Sequence, residues 1–447
     1  MILEHSFRGN RATTRNPASC APLRAPTHQR DEMPLLNAVP WCHERFLLNM
    51  VARQLQPVKG MMSAIPDPSP RQAVFDVLNR RRPARVVYAP NYWQWFAHHR
   101  RHGTLPEELA DCTDQLEMID RLGLDVFSRN IYCDQRRCWF GGLSRALCEG
   151  IDAEETESPD GDDLIIQRAY HTPKGTLTER QRHCHNQSTL VTEEFLVDDY
   201  SKHLDAYEAL VHARRWQFEV ERFQAEQARV GERGVVMVGE LYSPLKMLHL
   251  DLGPEATTYL LMDHPRRAAE LMRVHEEAQV DLAHQIGAAG TDAMIAMDNL
   301  DTAFHPPHYV ERYSASFYER ASRIAHQHGS TFFIHACGQQ RANLPLIATL
   351  GVDGLEGVAY PPLGDVELEE AMELSGDRFI VTGGISAIET DRLRSRDEVF
   401  AYVENLFDRL RPHAQRFILA ASCNTAISAR WSTLVHFRDA WRELGSL

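Results

Sequence analysis

Nowhere in this 447-residue chain do 18 or more apolar residues run together, so no segment is long enough for a membrane helix. Positive charge is short as well: 48 Lys and Arg stand against 62 Asp and Glu, a formal charge of −14. That balance excludes nucleic acid as a partner, because phosphate binding needs clustered cations. The one basic run, Asn79-Arg80-Arg81-Arg82-Pro83, reads as a solvated helix end. Cysteine is scattered, nine in all and without a repeating framework, which excludes a disulfide scaffold and points to a reducing, cytoplasmic compartment. Residues 1–30 have no apolar stretch of the kind a secretory signal needs. A Gly-rich phosphate loop after a strand, a Gly-x-Ser-x-Gly elbow and a His-Glu-x-x-His helix are all missing.

What is present is the composition of an ordinary globular protein, 43% hydrophobic and 25% charged, and long enough to bury a large core. Residues 1–66 are rich in Pro, Arg and His, lack sustained periodicity and read as an N-terminal extension with a short helix around 41–55. At Ser69-Pro70 a capping hydroxyl and a first-turn proline open a firm helix. Beyond it, strand-like runs at 85–89, 124–127, 234–239, 293–297, 331–335, 354–357, 379–382 and 417–421 alternate with helical stretches. Those stretches include 203–228, 264–287, 307–328, 341–350, 396–410 and 433–444. Eight strands each followed by a helix predict an α/β fold, a (β/α)8 TIM-like barrel over 67–447. The rhythm breaks at 133–186, where alternating segments 163–171 and 175–182 flank Thr172-Pro173-Lys174-Gly175. This predicts a β-hairpin insertion after the second strand. The acidic stretch 152–163 reads as a solvated turn.

Two strand ends carry soft metal ligands: Thr331 to Gly338 reads TFFIHACG, and Phe417 to Cys423 reads FILAASC. Alternate residues of a strand share a face, so His335 and Cys337 point the same way. Cys423 closes the eighth strand as they close the fifth, and barrels of this type keep their chemistry at that rim. Taken singly, each is a core histidine or a small buried hydrophobe. Taken together, one imidazole and two thiolates form a zinc set. Glu356, ending the sixth strand, is the candidate fourth ligand, with an exposed loop carboxylate as its plain alternative. Glu240 and Asp298, ending the third and fourth strands, are candidates to accept a proton or hold a substrate, with helix capping as the rival role. The Tyr92-Trp93-Gln94-Trp95-Phe96 cluster reads as a packed loop–helix junction or a pocket wall. Cys133-x4-Cys138 and His183-Cys184-His185 have the wrong spacing for a second zinc site.

The run from Gly290 (GTDAMIAMDNLDTAFHPPHYVERY) through IHACG, LGVDGLEG, FIVTGGI and FILAASC resembles the uroporphyrinogen decarboxylase superfamily. Within it the sequence is most similar to the methylcobamide:thiol (coenzyme M) methyltransferase branch, whose H-x-C…C zinc motif falls on His335, Cys337 and Cys423. The resemblance implies a zinc-dependent methyltransferase moving a methyl group between a corrinoid such as methylcobalamin and a thiol or a methylated small molecule. No Asp-x-His-x-x-Gly corrinoid signature is present, so a separate corrinoid protein is the implied carrier. Two alternatives remain: a metal-free uroporphyrinogen decarboxylase-like lyase, and a non-catalytic barrel binding a tetrapyrrole or corrinoid. The Arg-rich opening signature of the decarboxylases is missing before Tyr92, which argues against the lyase.

Overall fold

A computed structural model describes residues 69–132, 142–187 and 189–447 of the chain. The extension expected over 1–66 lies outside the described residues, as do Cys133 and Cys138. Fourteen strands occur among the described residues. In chain order they are β1 (Val87–Tyr88), β2 (Val126–Ser128), β3 (Ser144–Cys148), β4 (Asp152–Asp160), β5 (Asp163–Thr172), β6 (Gly175–Cys184) and β7 (Thr189–Glu194). There follow β8 (Arg214–Phe218), β9 (Gly234–Leu241), β10 (Ala293–Ala296), β11 (Thr331–His335), β12 (Gly354–Val358), β13 (Ile380–Ile385) and β14 (Phe417–Ala421).

Eight of these form one parallel sheet in the order β1-β14-β13-β12-β11-β10-β9-β2. Its two ends meet across Asp125: the Asp125 amide donates to the Tyr88 carbonyl (3.0 Å), and the Tyr88 amide donates to the Asp125 carboxylate (2.9 Å). The result is the expected barrel, nearly closed, with helices flanking the strands. Both faces of the strands are buried, which is why they read in sequence as unbroken apolar runs.

Alternation sorts the side chains. Val87, Phe127, Val235, Met237, Ala293, Ile295, Phe333, Ile380 and Ile418 pack together inside the barrel. Their neighbours Val236, Val238, Met294, Phe332, Ile334 and Leu419 face the outer helices. The first helix, Pro70–Leu78, is capped by Ser69 as expected and joins the inner core through Ala73, Val74, Val77 and Leu78. Its Arg71 binds the Gly234 carbonyl and Asp292 (2.8 and 2.7 Å), at the starts of β9 and β10. The helix therefore closes the N-terminal end, and the C-terminal rim is left for the site.

Four expectations need correction. The hairpin of 163–182 exists as β5 and β6 but is the centre of a four-stranded antiparallel sheet, β4-β5-β6-β7. The acidic stretch expected to be a turn is largely β4, an edge strand with every residue exposed. Its charges guard an edge that would otherwise pair with another chain. The single helix expected over 203–228 is two helices, Tyr200–Ala213 and Val220–Val230, separated by β8. That strand pairs with β3, a partner no local pattern announces. The helix expected over 341–350 shrinks to one turn, Leu344–Ile347.

Candidate metal centre

β11 delivers His335 into the barrel on the same face as Phe333, with no exposed surface. The turn that follows is held by backbone: the Leu300 amide donates to the His335 carbonyl (3.1 Å), and the Ala336 amide donates to the Glu356 carbonyl (2.8 Å). Gly338 has φ +90°, and a Cβ there would fall 1.7 Å from an Asp301 carboxylate oxygen. Only glycine fits both demands, so Cys337 is aimed by its neighbour. Cys423 follows β14 across the barrel. Its carbonyl accepts from Asn91 Nδ2 (3.3 Å), which also bonds Asn424 Oδ1 (2.6 Å) and Asn130 Oδ1 (2.9 Å).

These elements bring the three expected ligands together. Cys337 Sγ lies 2.9 Å and Cys423 Sγ 3.8 Å from His335 Nε2, and all three donor atoms fall within 4.8 Å of one another. The edges of a tetrahedral zinc site with nitrogen and sulfur ligands are roughly 3.5–3.8 Å, from the usual bond lengths. Among the described residues no other group of three or more His, Cys, Asp or Glu ligands meets in this way.

Glu356 takes a different place from the three. In register it is the neighbour of His335 on β12, and its Oε2 accepts from His335 Nδ1, on the far side of the ring from the Nε2 that meets the sulfurs. The same oxygen accepts from Arg129 Nε (3.0 Å), a guanidinium that is almost wholly buried just after β2. Burial opposes ionisation of Glu356, but Arg129 and His335 overcome it and hold the carboxyl at about 2. With Nδ1 engaged by Glu356, Nε2 is the ring nitrogen that faces the sulfurs. The Cys337 sulfur hydrogen-bonds Cys423 and holds the Cys423 thiol well below the ordinary cysteine range, against burial, while Cys337 itself is pushed up. Arg129 is the residue that sequence reasoning missed; a lone Arg after a short strand gives no sign of reaching across a barrel.

The two rim carboxylates engage other partners. Glu240 falls in step with outward-facing Val236 and Val238; it accepts from the Leu143 amide (3.0 Å) and Ser144 Oγ (2.5 Å) and so ties β9 to the start of the insertion. Burial raises its carboxyl to about 7. Asp298 accepts from the Ser243 amide (2.9 Å) and from the Tyr318 hydroxyl, and burial raises its carboxyl too. The aromatic cluster is a packed junction: Trp93, Trp95 and Phe96 are buried, and Trp95 Nε1 donates to the Ala429 carbonyl (2.9 Å).

Fold and site together define a (β/α)8 barrel with a His335–Cys337–Cys423 cluster at its C-terminal rim. The uroporphyrinogen decarboxylase (URO-D) family matches residues 202–444, more than half of the chain, and this protein belongs to that family. Among solved structures, a methyltransferase from Methanosarcina mazei superposes with a TM-score of 0.52 at 15% identity, over 84% of this chain and 99% of that one. At that identity the likeness is one of fold. A 3-keto-L-gulonate-6-phosphate decarboxylase from Vibrio cholerae O1 biovar El Tor aligns over 50% of this chain and 93% of its own, at 13% identity and a TM-score of 0.23, and carries no argument. No curated protein matches the sequence.

Proposed function

We propose that this protein is a zinc-dependent methyltransferase that moves a methyl group between a corrinoid and a thiol or a methylated small molecule. The observation that carries the reading is the convergence of His335 Nε2, Cys337 Sγ and Cys423 Sγ at the barrel rim. The donor set suits zinc: two thiolates and an imidazole are soft to borderline ligands, and three protein ligands leave one position open. The charges also suit it, since two thiolates and Glu356 against Arg129 and a divalent cation sum to zero in a buried site. Zinc bound there would favour the thiolate form of an entering thiol and hold it as a nucleophile.

The chain's own residues do the rest. Cys337 and Cys423 would hold the metal and keep electron density on it. Glu356 fixes the His335 tautomer, and Arg129 keeps Glu356 ionised. We assign Glu356 to this positioning role in preference to the fourth ligand place. We assign Asp298 and Glu240 to holding rim segments in place in preference to proton transfer. The corrinoid belongs to a separate protein that presents it at the barrel mouth. The five cysteines among the described residues are free thiols, which suits a reducing, cytoplasmic setting, and no described helix is long and apolar enough to cross a membrane.

The family's name favours a second reading, a metal-free decarboxylase acting on a porphyrinogen-like polycarboxylate. One experiment separates the two. Zinc-loaded protein is given methylcobalamin and a panel of thiols, and demethylation is followed by the absorbance of the corrinoid. Turnover that disappears in Cys423→Ala supports the transferase. Zinc-free protein that releases carbon dioxide from a porphyrinogen, with no methyl transfer, supports the lyase and sinks our reading.

A further inference from the structure

The two cysteines of the cluster are held by different means. Gly338 and the backbone fix the turn that carries Cys337, whereas Cys423 lies in a bend two residues beyond β14. The last ladder bond there runs from the Ser422 amide to the Ile385 carbonyl (2.9 Å). Beyond it Asn91 takes over, three residues after β1, the strand that pairs with β14. Its Nδ2 donates to the Cys423 carbonyl (3.3 Å) and to Asn424 Oδ1 (2.6 Å). Its own carbonyl accepts from the Thr425 amide (3.1 Å). One residue thus grips the bend from Cys423 to Thr425.

Asn91 is gripped in turn. It and Asn130 are 7% and 1% exposed, and its Nδ2 donates to Asn130 Oδ1 (2.9 Å). That oxygen also accepts from Nη1 of Arg129 (2.8 Å), the residue whose Nε holds Glu356 beside His335. A guanidinium only donates, so the Asn130 atom it meets is oxygen, and the Asn91 atom facing both that oxygen and the Cys423 carbonyl is nitrogen. The other end of the Asn91 amide, Oδ1, accepts from the Trp93 amide (3.4 Å). One polar belt therefore runs from ligand to ligand: His335, Glu356, Arg129, Asn130, Asn91, Cys423. Burying two amides stabilises a barrel less than burying apolar side chains of their size. What a satisfied network supplies instead is a single geometry.

We propose that Asn91 is a positioning residue, which sets Cys423 at the distance from His335 where both reach one metal ion. The proposal deepens the metal-centre reading and rests on it. Cys423 Sγ stands 3.8 Å from His335 Nε2, at the edge length of roughly 3.5–3.8 Å that tetrahedral zinc demands. Metal–ligand distances tolerate only about 0.2 Å of error. A free bend does not keep a sulfur within that tolerance; a bend pinned at the cysteine's own carbonyl does. Asn91 acts on that carbonyl and not on the sulfur.

The test titrates metal-free, full-length protein with Co2+, a stand-in for zinc whose sulfur-to-cobalt charge-transfer band reports bound thiolates. Wild-type protein binds about one ion and shows the band. Asn91→Leu keeps the size and removes the N–H donors; Asn91→Asp keeps the shape and turns an anion toward the same oxygens. Each weakens Co2+ by about 10–100-fold, the usual loss when the partner behind a ligand is removed. Each also lowers the band per bound ion, because Cys423 is the ligand displaced. A residue that only packs would lower stability in urea and leave the band per ion unchanged. Circular dichroism confirms folding, and should Asn91→Leu not fold, Asn91→Asp decides. Wild-type affinity, or a wild-type band per bound ion, in a folded variant overturns the proposal and leaves the metal reading standing. Wild-type protein that takes up no Co2+, or takes it up without the band, sinks the metal reading and the proposal with it.

Discussion

Replacing Glu356 by Gln isolates the part of the site that orients the imidazole without touching a donor atom. Glu356 is the shared acceptor of His335 Nδ1 and Arg129 Nε, and glutamine keeps its size while removing its charge. Two losses follow. His335 is no longer held in one tautomer by an anion, and changes of this kind typically cost 10–100-fold in metal affinity, about 1.4–2.7 kcal/mol. Arg129 loses the carboxylate that accepts from its Nε, and breaking a buried ion pair from one side costs up to about 3–5 kcal/mol of stability. Zinc affinity is measured by competition with a chromogenic chelator, and stability by urea unfolding of the metal-free protein. Both are expected to fall in Glu356→Gln. Adding Arg129→Met to Glu356→Gln should restore part of the stability, since the cation that lost its carboxylate is gone, but not the zinc affinity. Wild-type zinc affinity in folded Glu356→Gln would refute the positioning role.

Three further outcomes are expected. The Glu356 carboxyl is lowered in the folded protein to about 2, so the stability it contributes is present above the unfolded pKa near 4.5 and is lost as pH falls toward 2; Glu356→Gln should flatten that limb of the acid unfolding curve. Glu240 has the opposite sign. Its folded pKa is raised to about 7, so stability is full below about pH 4.5 and declines by up to about 3 kcal/mol as pH rises through 7, a slope that Glu240→Gln should remove in urea titrations at pH 5 and 8. Gly338→Ala sets a Cβ against Asp301 at a positive φ; it should lower stability by about 1–3 kcal/mol and weaken zinc binding by moving Cys337, both measurable on purified protein.

The barrel was legible because its strands are buried on both faces, so Val235 to Val238 or Ile418 to Ala421 stand out as apolar runs whatever surrounds them. The meeting of His335, Cys337 and Cys423 was legible for a related reason. Residues i and i+2 at a strand end must share a face, and the fifth and eighth strands of a barrel must open on one rim. What sequence could not supply is register and reach. Glu356 pairs with His335 because β12 lies beside β11 at one particular offset, which sets its carboxylate against the ring nitrogen that faces away from the sulfurs. Arg129 arrives from just after β2, where no local pattern marks it. The break at β8 was hidden in the same way: Arg214-Arg215-Trp216-Gln217-Phe218 continues an acceptable helical pattern until β3 offers it hydrogen bonds.

X-ray absorption at the zinc edge tests the central claim most directly. Protein purified with zinc is expected to hold about one ion per chain, bound by two sulfurs and at least one nitrogen, and to gain a third sulfur when an acceptor thiol is added. Cys337→Ala and Cys423→Ala should each lose the ion while keeping the fold. Zinc bound only through oxygen and nitrogen, or no zinc in protein whose cysteines are reduced and intact, would contradict the account.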